Sequence, residues 1–350
     1  MKVEIGLTSF ADNHEIHTQD GEFPAIPSDE RIRNIVEEIK LADEVGLDIY
    51  GLGEHHRPDY AVSSPATVLA AAATQTKNIK LSSAVTVLSS DDPIRVYQQF
   101  ATLDALSNGR AEIMAGRGSF IESFPLFGYN LNDYEQLYDE KLELLMKINK
   151  NTIVNWEGSL TPNIDGRGVY PRAVQKELPI WLATGGTPES SLKAGSLGLP
   201  ITYAIIGGDP KRFSRNVAMY RAVAESNGYK AEDLKVASHS WGYVAETDEQ
   251  AQREYFPSAK AHHNIIAKER GWPPFTVEHF QREVGPSGAM YVGSPETVAQ
   301  KIIDTVEALG LNRFMLHLPV GSMPHEDVMN SIKLFGERVK PIVDEYFKNK

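Results

Sequence analysis

The sequence contains no cysteine. Disulfide bonds, thiolate nucleophiles and thiolate-rich zinc sites are therefore excluded, and the composition suits a reducing compartment. Positive charge is also scarce, since 35 Lys and Arg residues stand against 47 Asp and Glu residues and leave a formal net charge of −12. That balance argues against nucleic acid or an anionic membrane as the main partner.

Long apolar runs are missing as well. No stretch approaches the roughly 18 consecutive apolar residues of a membrane span. Lys2 and Glu4 interrupt the first residues, where a signal peptide would need an uncharged run. We therefore expect a cytoplasmic protein without membrane contact. With 41% hydrophobic residues, the 350-residue chain can bury a large core, and we expect a single domain over 1–350.

The motifs of three enzyme classes do not occur. No Gly-x-Gly-x-x-Gly follows the first apolar segment, which argues against an open dinucleotide-binding sheet. No Gly-x-x-x-x-Gly-Lys-[Ser/Thr] loop is present, so nucleoside triphosphate hydrolysis is not indicated. Serine-hydrolase chemistry has no visible nucleophile, because the sequence lacks a Gly-x-Ser-x-Gly elbow.

What the sequence does contain is a regular alternation of short apolar runs and amphipathic segments. The apolar runs are typical of parallel strands buried on both faces, and they are 47–53, 79–88, 111–116, 179–184, 234–245 and 313–318. Several amphipathic segments open with a capping side chain followed by proline, a strong helix start. These starts are Ser64-Pro65, Asp92-Pro93, Thr187-Pro188, Asp209-Pro210 and Ser294-Pro295.

This alternation runs the length of the chain and indicates about eight strands, which predicts an α/β fold of the (β/α)8 TIM-barrel type. Three segments do not fit the alternation, and we interpret them as insertions at the C-terminal face: 9–27, about 150–178 and about 255–290. The last of these, with its aromatic, histidine and proline residues, suits a loop over a site. A mobile surface insertion without chemistry is the alternative.

In a barrel, functional groups collect where strands end, and the second strand ends in Glu54, His55, His56 and Arg57. Three interpretations are open for this cluster. The histidines could bind a metal with a carboxylate, Glu54 could pair with a neighbouring arginine, or at least one histidine could serve a non-metal active site.

The ends of the fourth and fifth strands suggest an anion site. Arg117 stands between two glycines, so it could bind a phosphate or, equally, pair with a carboxylate across the barrel mouth. After the fifth strand, Gly185 and Gly186 allow close approach of a ligand, Thr187 caps a helix, and Ser190 adds a hydroxyl. A phosphate could lie there, with Arg117 neutralising its charge.

Other candidates receive structural interpretations. His239 and His317, like Trp181 and Trp241, lie within strands and are interpreted as core residues. His14 and His17 lie in a polar loop, where solvation is favoured over metal binding, and we expect no resident metal.

Several stretches together resemble one known family, the bacterial luciferase-like, flavin-dependent monooxygenases. They are GLGEHH (51–56), SAVTVLSSDDPIRVYQQFATLDALSNGR (83–110), AGRG (115–118), GTPES (186–190), YVGSPETV (291–298) and SIKLFGERVKP (331–341). The resemblance implies a (β/α)8 barrel that binds flavin at its C-terminal mouth, commonly as a homodimer or higher homo-oligomer.

The resemblance also implies roles for individual residues. The flavin ring would lie above Ala84 and Val85, where relatives commonly have a non-proline cis peptide, and His55 would act near the reduced flavin, with His56 beside it. The positions expected to contact the cofactor are Glu54, Ala84, Val85, Arg117, Gly185, Gly186, Thr187 and Ser190.

Chemically, the resemblance implies that reduced FMN, delivered by a separate flavin reductase, and O2 are used to oxygenate a small organic substrate. Within the family, the alternative is a hydride-transfer enzyme that uses the deazaflavin F420. A non-catalytic flavin-binding protein of the same fold and a metal-dependent hydrolase are the alternatives from other classes.

Overall fold

Eight parallel strands form a closed ring in the computed structural model, which describes residues 2–14, 16–18, 21–23, 25–348 and 350. The strands are β1 Glu4–Ser9, β2 Ile49–Leu52, β3 Lys80–Ser83, β4 Ala111–Gly116, β5 Ile180–Thr184, β6 Ile201–Ala204, β7 Val236–Val244 and β8 Arg313–His317. Each strand pairs with the next, and β8 pairs with β1. The predicted (β/α)8 barrel is confirmed.

Helices connect the strands. They are α1 Ser28–Glu44, α2 Pro65–Ala73, α3 Pro93–Ser107, α4 Ser123–Phe127, α5 Tyr134–Lys150, α6 Pro188–Leu197, α7 Ser214–Ser226, α8 Asp248–Arg270, α9 Val277–Val284, α10 Pro295–Leu309, α11 His325–Leu334 and α12 Lys340–Lys348. All five proline-marked starts are confirmed, and the one at Asp209 opens a 3₁₀ turn ahead of α7. None of the described helices combines the length and apolar character needed to cross a membrane.

Side chains from several strands fill the inside of the ring as a small apolar cluster, separate from the larger core beneath the helices. The cluster consists of Ile49, Ala84, Met114, Trp181, Ala237 and Met315. Trp181 is buried there, as predicted from its position within a strand. The filled interior leaves the ends of the strands as the places for polar groups.

The three predicted insertions contain regular structure. Within 9–27, Ile16–Thr18 pairs antiparallel with Gly21–Phe23, and within 150–178, Ile153–Trp156 pairs with Ile164–Gly168. The interpretation of 255–290 as a loop excursion is wrong, because α8 continues to Arg270 and α9 follows. Helix α8 continues through Pro257 and is held in place by a stripe of buried residues. They include Ala251, Tyr255, Ser258, Ala259 and His262.

The N-terminal end of the barrel is closed by buried ion pairs. Arg313 is only 1% exposed and donates to Glu4 Oε2 from Nε (2.8 Å) and to Glu112 Oε2 from Nη1 (2.8 Å). Lys80 Nζ donates to Glu4 Oε1 at 2.5 Å. Burial by itself would raise the pKa of Glu4, but Arg313 and Lys80 outweigh it and lower that pKa to about 2.

Arg313→Met should destabilise the protein by about 3–5 kcal/mol at neutral pH, because Glu4 and Glu112 lose their buried arginine and keep only the partly exposed Lys80. Urea unfolding measures the change. In the wild type, the contribution of Glu4 is complete above its ordinary pKa of 4.5 and is lost as the pH falls toward 2. The difference between variant and wild type should therefore shrink on acidification. Arg338→Met, which removes an exposed ion pair, is the control, and an equal loss in both variants would contradict the assignment.

Candidate functional site

A cleft opens at the C-terminal mouth of the barrel, where β2 to β7 end. It is lined by Phe10, Glu54, His55, Ala84, Val85, Met114, Gly116, Arg117, Gly118, Ser119, Tyr134, Ala183, Thr184, Gly185, Thr202, Ala204 and His239. Six of the predicted site residues belong to this lining. The other four, His56, Gly186, Thr187 and Ser190, lie outside it.

The floor of the cleft contains the peptide bond between Ala84 and Val85, which is cis, as the family resemblance implies. The segment predicted as one strand over 79–88 is divided here, since β3 ends at Ser83 and pairing resumes at Thr86–Val87. Gly116 lies against this floor, and a Cβ atom there would come within 2.7 Å of Val85 Cγ2. Glycine at 116 therefore lets β4 pack beside Val85.

Glu54 hydrogen-bonds to the backbone just after the cis peptide. Its Oε2 accepts the backbone N–H of Val87 at 2.9 Å, and its Oε1 lies 2.9 Å from Nε2 of His56. The alternative in which Glu54 pairs with an arginine is therefore wrong. His56 lies against Phe127 and lines a separate depression with Asp91, so the cleft and His56 lie on different sides of Glu54.

His55 is the imidazole that reaches the cleft from β2. Its ring stacks on Tyr60, with centroids 4.1 Å apart, and contacts Phe10 at 4.7 Å. Burial lowers the pKa of His55 to about 4, so the ring is neutral at pH 7. Nδ1 is buried and has no hydrogen-bond partner among the described residues.

A second imidazole, His239, lines the cleft from β7. Its Nδ1 lies 2.8 Å from Oγ1 of Thr8, which is also 3.1 Å from Nδ1 of His317. Burial lowers the pKa of His239 to about 4. The interpretation of His239 as a core residue misses its place in the cleft, whereas His317 is buried as predicted. Spacing along β7 is the signal that could have identified His239, because Ala237, two residues before it, faces the inside of the ring.

The predicted anion site assembles at the ends of β4 and β5. Nη2 of Arg117 donates to Oγ of Ser190 at 3.2 Å, and that oxygen lies 2.8 Å from Oγ1 of Thr187. Gly186 precedes this turn with φ 106°, and a Cβ atom there would lie 2.5 Å from the ring of Phe213. The arginine and the start of α6 therefore lie on the same rim.

Arg117 also pairs through Nη1 with Glu135 at the start of α5. Arg117 therefore contacts both a carboxylate, as one interpretation predicts, and the helix start where a phosphate could lie, as the other predicts. The side chain of Glu135 is 65% exposed, so it can turn into solvent when an anion competes for the guanidinium.

These residues fit a flat ligand with an anionic tail. Phe10, Ala84, Val85 and Met114 give the cleft an apolar surface that a ring can contact. Arg117, Ser190 and Thr187 supply donors for an anion at one end. Thr202 Oγ1 is buried in the lining without a partner among the described residues, so a polar atom of a ligand could satisfy it.

Comparison with known proteins agrees with this geometry. The family model described as luciferase-like monooxygenase matches residues 3–313. The monooxygenase RslO1 from Streptomyces bottropensis superposes with a TM-score of 0.83 at 22% identity, covering 97% of this chain and 99% of that one. The oxygenating constituent of 3,6-diketocamphane monooxygenase from Pseudomonas putida, solved with FMN, superposes with a TM-score of 0.76 at 20% identity, covering 97% and 99%.

A third similar structure differs in its cofactor. The F420-dependent tetrahydromethanopterin reductase from Methanopyrus kandleri superposes with a TM-score of 0.72 at 21% identity, covering 97% of this chain and 99% of that one. At these identities the structures establish a shared fold, and the fold accommodates both FMN and F420.

The neutral state of His55 and His239 predicts that the folded protein loses stability in acid. Because burial lowers the pKa of His55 and His239 from 6.5 to about 4, the unfolded chain binds protons in this range before the folded chain does. The free energy of unfolding should therefore fall as the pH drops from 6.5 toward 4, and His55→Gln should reduce that fall. Urea unfolding across this pH range measures it.

His325→Gln is the control with the opposite sign. The carboxylates of Glu38 and Glu37, with oxygens 3.7 Å and 3.1 Å from its ring nitrogens, raise the pKa of His325. This histidine therefore stabilises the folded state at low pH, and its removal should steepen the acid loss. A wild-type stability that is flat across this range, or an unchanged slope in His55→Gln, would contradict the neutral assignment.

Proposed function

The chain belongs to the luciferase-like monooxygenase family, and from that membership we propose that it is a flavin-dependent monooxygenase that uses reduced FMN and O2 to oxygenate a small organic substrate. One observation on this chain supports the proposal in addition to the family membership. Arg117 and the hydroxyls of Thr187 and Ser190 meet on one rim, at the end of a cleft whose floor suits a flat ring.

The phosphate of FMN would be held by Arg117, Thr187 and Ser190. A guanidinium and two hydroxyls provide charge-assisted hydrogen bonds, and the N-terminus of α6 adds the positive end of its dipole. Gly185 has no heavy atom within 4 Å of the place its Cβ would occupy, so the backbone there leaves room for a ligand. Gly186 would shape the turn that presents these donors.

The ring system would lie over Ala84 and Val85, and Glu54 would fix that floor through the amide of Val87. Bound reduced FMN supplies the electrons for the reaction with O2. Phe10 and Tyr60 pack around His55 and exclude water from it, which favours oxygenation over unproductive loss of the reducing equivalents. Nδ1 of the neutral His55 is free to accept a proton or, in the other tautomer, to donate one. His56 would act as a positioning residue through Glu54.

FMN is proposed over F420 because of the charge in the cleft. F420 carries a polyanionic tail, and among the described lining residues Arg117 is the one permanent cation. A single phosphate matches that supply. The proposal includes a separate flavin reductase that delivers reduced FMN, a homo-oligomeric assembly and a cytoplasmic location.

Arg117→Ala should weaken FMN binding by about 2–3 kcal/mol, because one charge-assisted contact to the phosphate is lost. Glu135→Gln should tighten binding, since it frees the guanidinium from its competing carboxylate. Fluorescence titration of FMN measures both, and Arg33→Ala, an exposed arginine on α1, is the control. Equal FMN affinity in the wild type and Arg117→Ala would contradict the phosphate assignment, and tighter binding of F420 than of FMN would favour the hydride-transfer alternative.

His55→Ala should leave FMN affinity nearly unchanged and slow the reaction of the reduced complex with O2 by about 10²-fold or more, because the buried imidazole that handles the proton is removed. Stopped-flow absorbance of the reduced complex mixed with O2 measures the rate. His56→Ala, outside the cleft, should have a smaller effect. If the wild type reacts no differently from free reduced FMN, the protein is a non-catalytic flavin-binding member of its family.

A further inference from the structure

A second group of polar residues lies outside the cleft, between the loop after β1 and helix α8. Asp12 and His14 come from the loop, and His262 comes from the helix. All three are buried, with exposures of 0%, 8% and 4%, and one ligand atom from each lies within 4.8 Å of the others. His262 Nδ1 lies 3.3 Å from Asp12 Oδ1.

Four side-chain atoms of this group lack hydrogen-bond partners within the described part of the chain. Both carboxylate oxygens of Asp12 and both ring nitrogens of His14 are buried with no partner among the described residues. Burying a carboxylate without hydrogen bonds is costly, and such atoms in a native protein normally have a partner such as water or an ion. A single ion that contacts the carboxylate and the two imidazoles together would be such a partner.

The nearest strong cation does not fill that role. Arg31 Nε donates to the backbone carbonyl of Asp12 at 3.1 Å, whereas its Nη1 pairs with Glu38 Oε1 at 2.6 Å. The guanidinium is thus committed to Glu38 and to the main chain. The Asp12 carboxylate keeps the imidazole of His262 as its close neighbour.

We propose that Asp12, His14 and His262 form a binding site for one divalent transition-metal ion. Two imidazole nitrogens and one carboxylate oxygen are a ligand set that Zn²⁺ and neighbouring metals accept, and a cysteine-free chain must build such a site from nitrogen and oxygen. A bound ion would give one Asp12 oxygen and one His14 nitrogen their missing partner.

The ion would connect α8 to the loop after β1, because His262 lies on the helix and the other two ligands lie in the loop. Asp12 also forms a backbone bridge with Tyr60, whose ring stacks on His55, so the ion would stabilise the wall behind that histidine. None of the three ligands lines the cleft. The inference therefore does not depend on the proposed FMN chemistry, although it departs from the expectation of no resident metal and places His14 in a buried site instead of a solvated loop.

The experiment uses the full chain, purified and dialysed against a chelator, and then titrated with Zn²⁺ or Co²⁺ in the absence of flavin. We expect about one ion per chain, a rise in melting temperature with Zn²⁺, and visible absorption bands of Co²⁺ held by nitrogen and oxygen ligands. Affinity should fall at acidic pH, because the imidazoles must be deprotonated to bind.

Asp12→Asn and His262→Gln should each weaken Zn²⁺ binding by about 100-fold or more. His263→Gln is the matched control, since the neighbouring ring on the same helix packs against Phe275 instead and should leave binding intact. Far-UV circular dichroism checks that each variant is folded. A wild-type chain that takes up neither ion stoichiometrically would overturn the proposal, as would unchanged affinity in folded Asp12→Asn.

Discussion

Hydrogen bonding between β4 and β5 joins two chain segments that the sequence keeps far apart. Leu182 pairs with Ala115 across this boundary, and the two strands then end side by side at the mouth. Arg117 lies one residue beyond β4, and Ser190 lies in the first turn of the helix after β5, so the pairing brings them into contact although 73 positions separate them. The corner that suits a phosphate exists because the ring closes here.

Buried ionisable groups at the two ends of the barrel differ in whether they have a partner of opposite charge. At the N-terminal end, Arg313 compensates Glu4 and Glu112, so charges persist in a low-dielectric interior because they are paired. At the C-terminal end, His55 and His239 have no such partner, and burial keeps them neutral. The same cost of desolvation thus leaves paired charges at the N-terminal end and neutral imidazoles in the cleft at the C-terminal end.

Features encoded in adjacent residues could be predicted, and features that depend on the closed ring could not. β4 occupies the predicted range 111–116, and the proline-marked helices begin where expected, because strand burial and N-caps are local properties. The spacing of His239 from Ala237 indicates an inward position only once Ala237 is known to face the inside of the ring, and that depends on the closed barrel. The expectation that His14 is solvated is wrong, because α8, which begins more than two hundred residues later, places the ring of His262 5.7 Å from that of His14.

Arg57 connects the segments that surround His55 at the mouth of the barrel. Its guanidinium contacts Asp59 in its own loop, Glu122 after β4 at 2.6 Å and Glu269 on α8, and it lies 4.3 Å from the ring centroid of Phe120. These contacts hold Phe120 near His55 on one side, while Tyr60 covers the other. Helix α8 is therefore part of the wall that keeps the imidazole neutral. A change in how this helix packs would reach the cleft through Arg57 even if every strand of the barrel stayed in place.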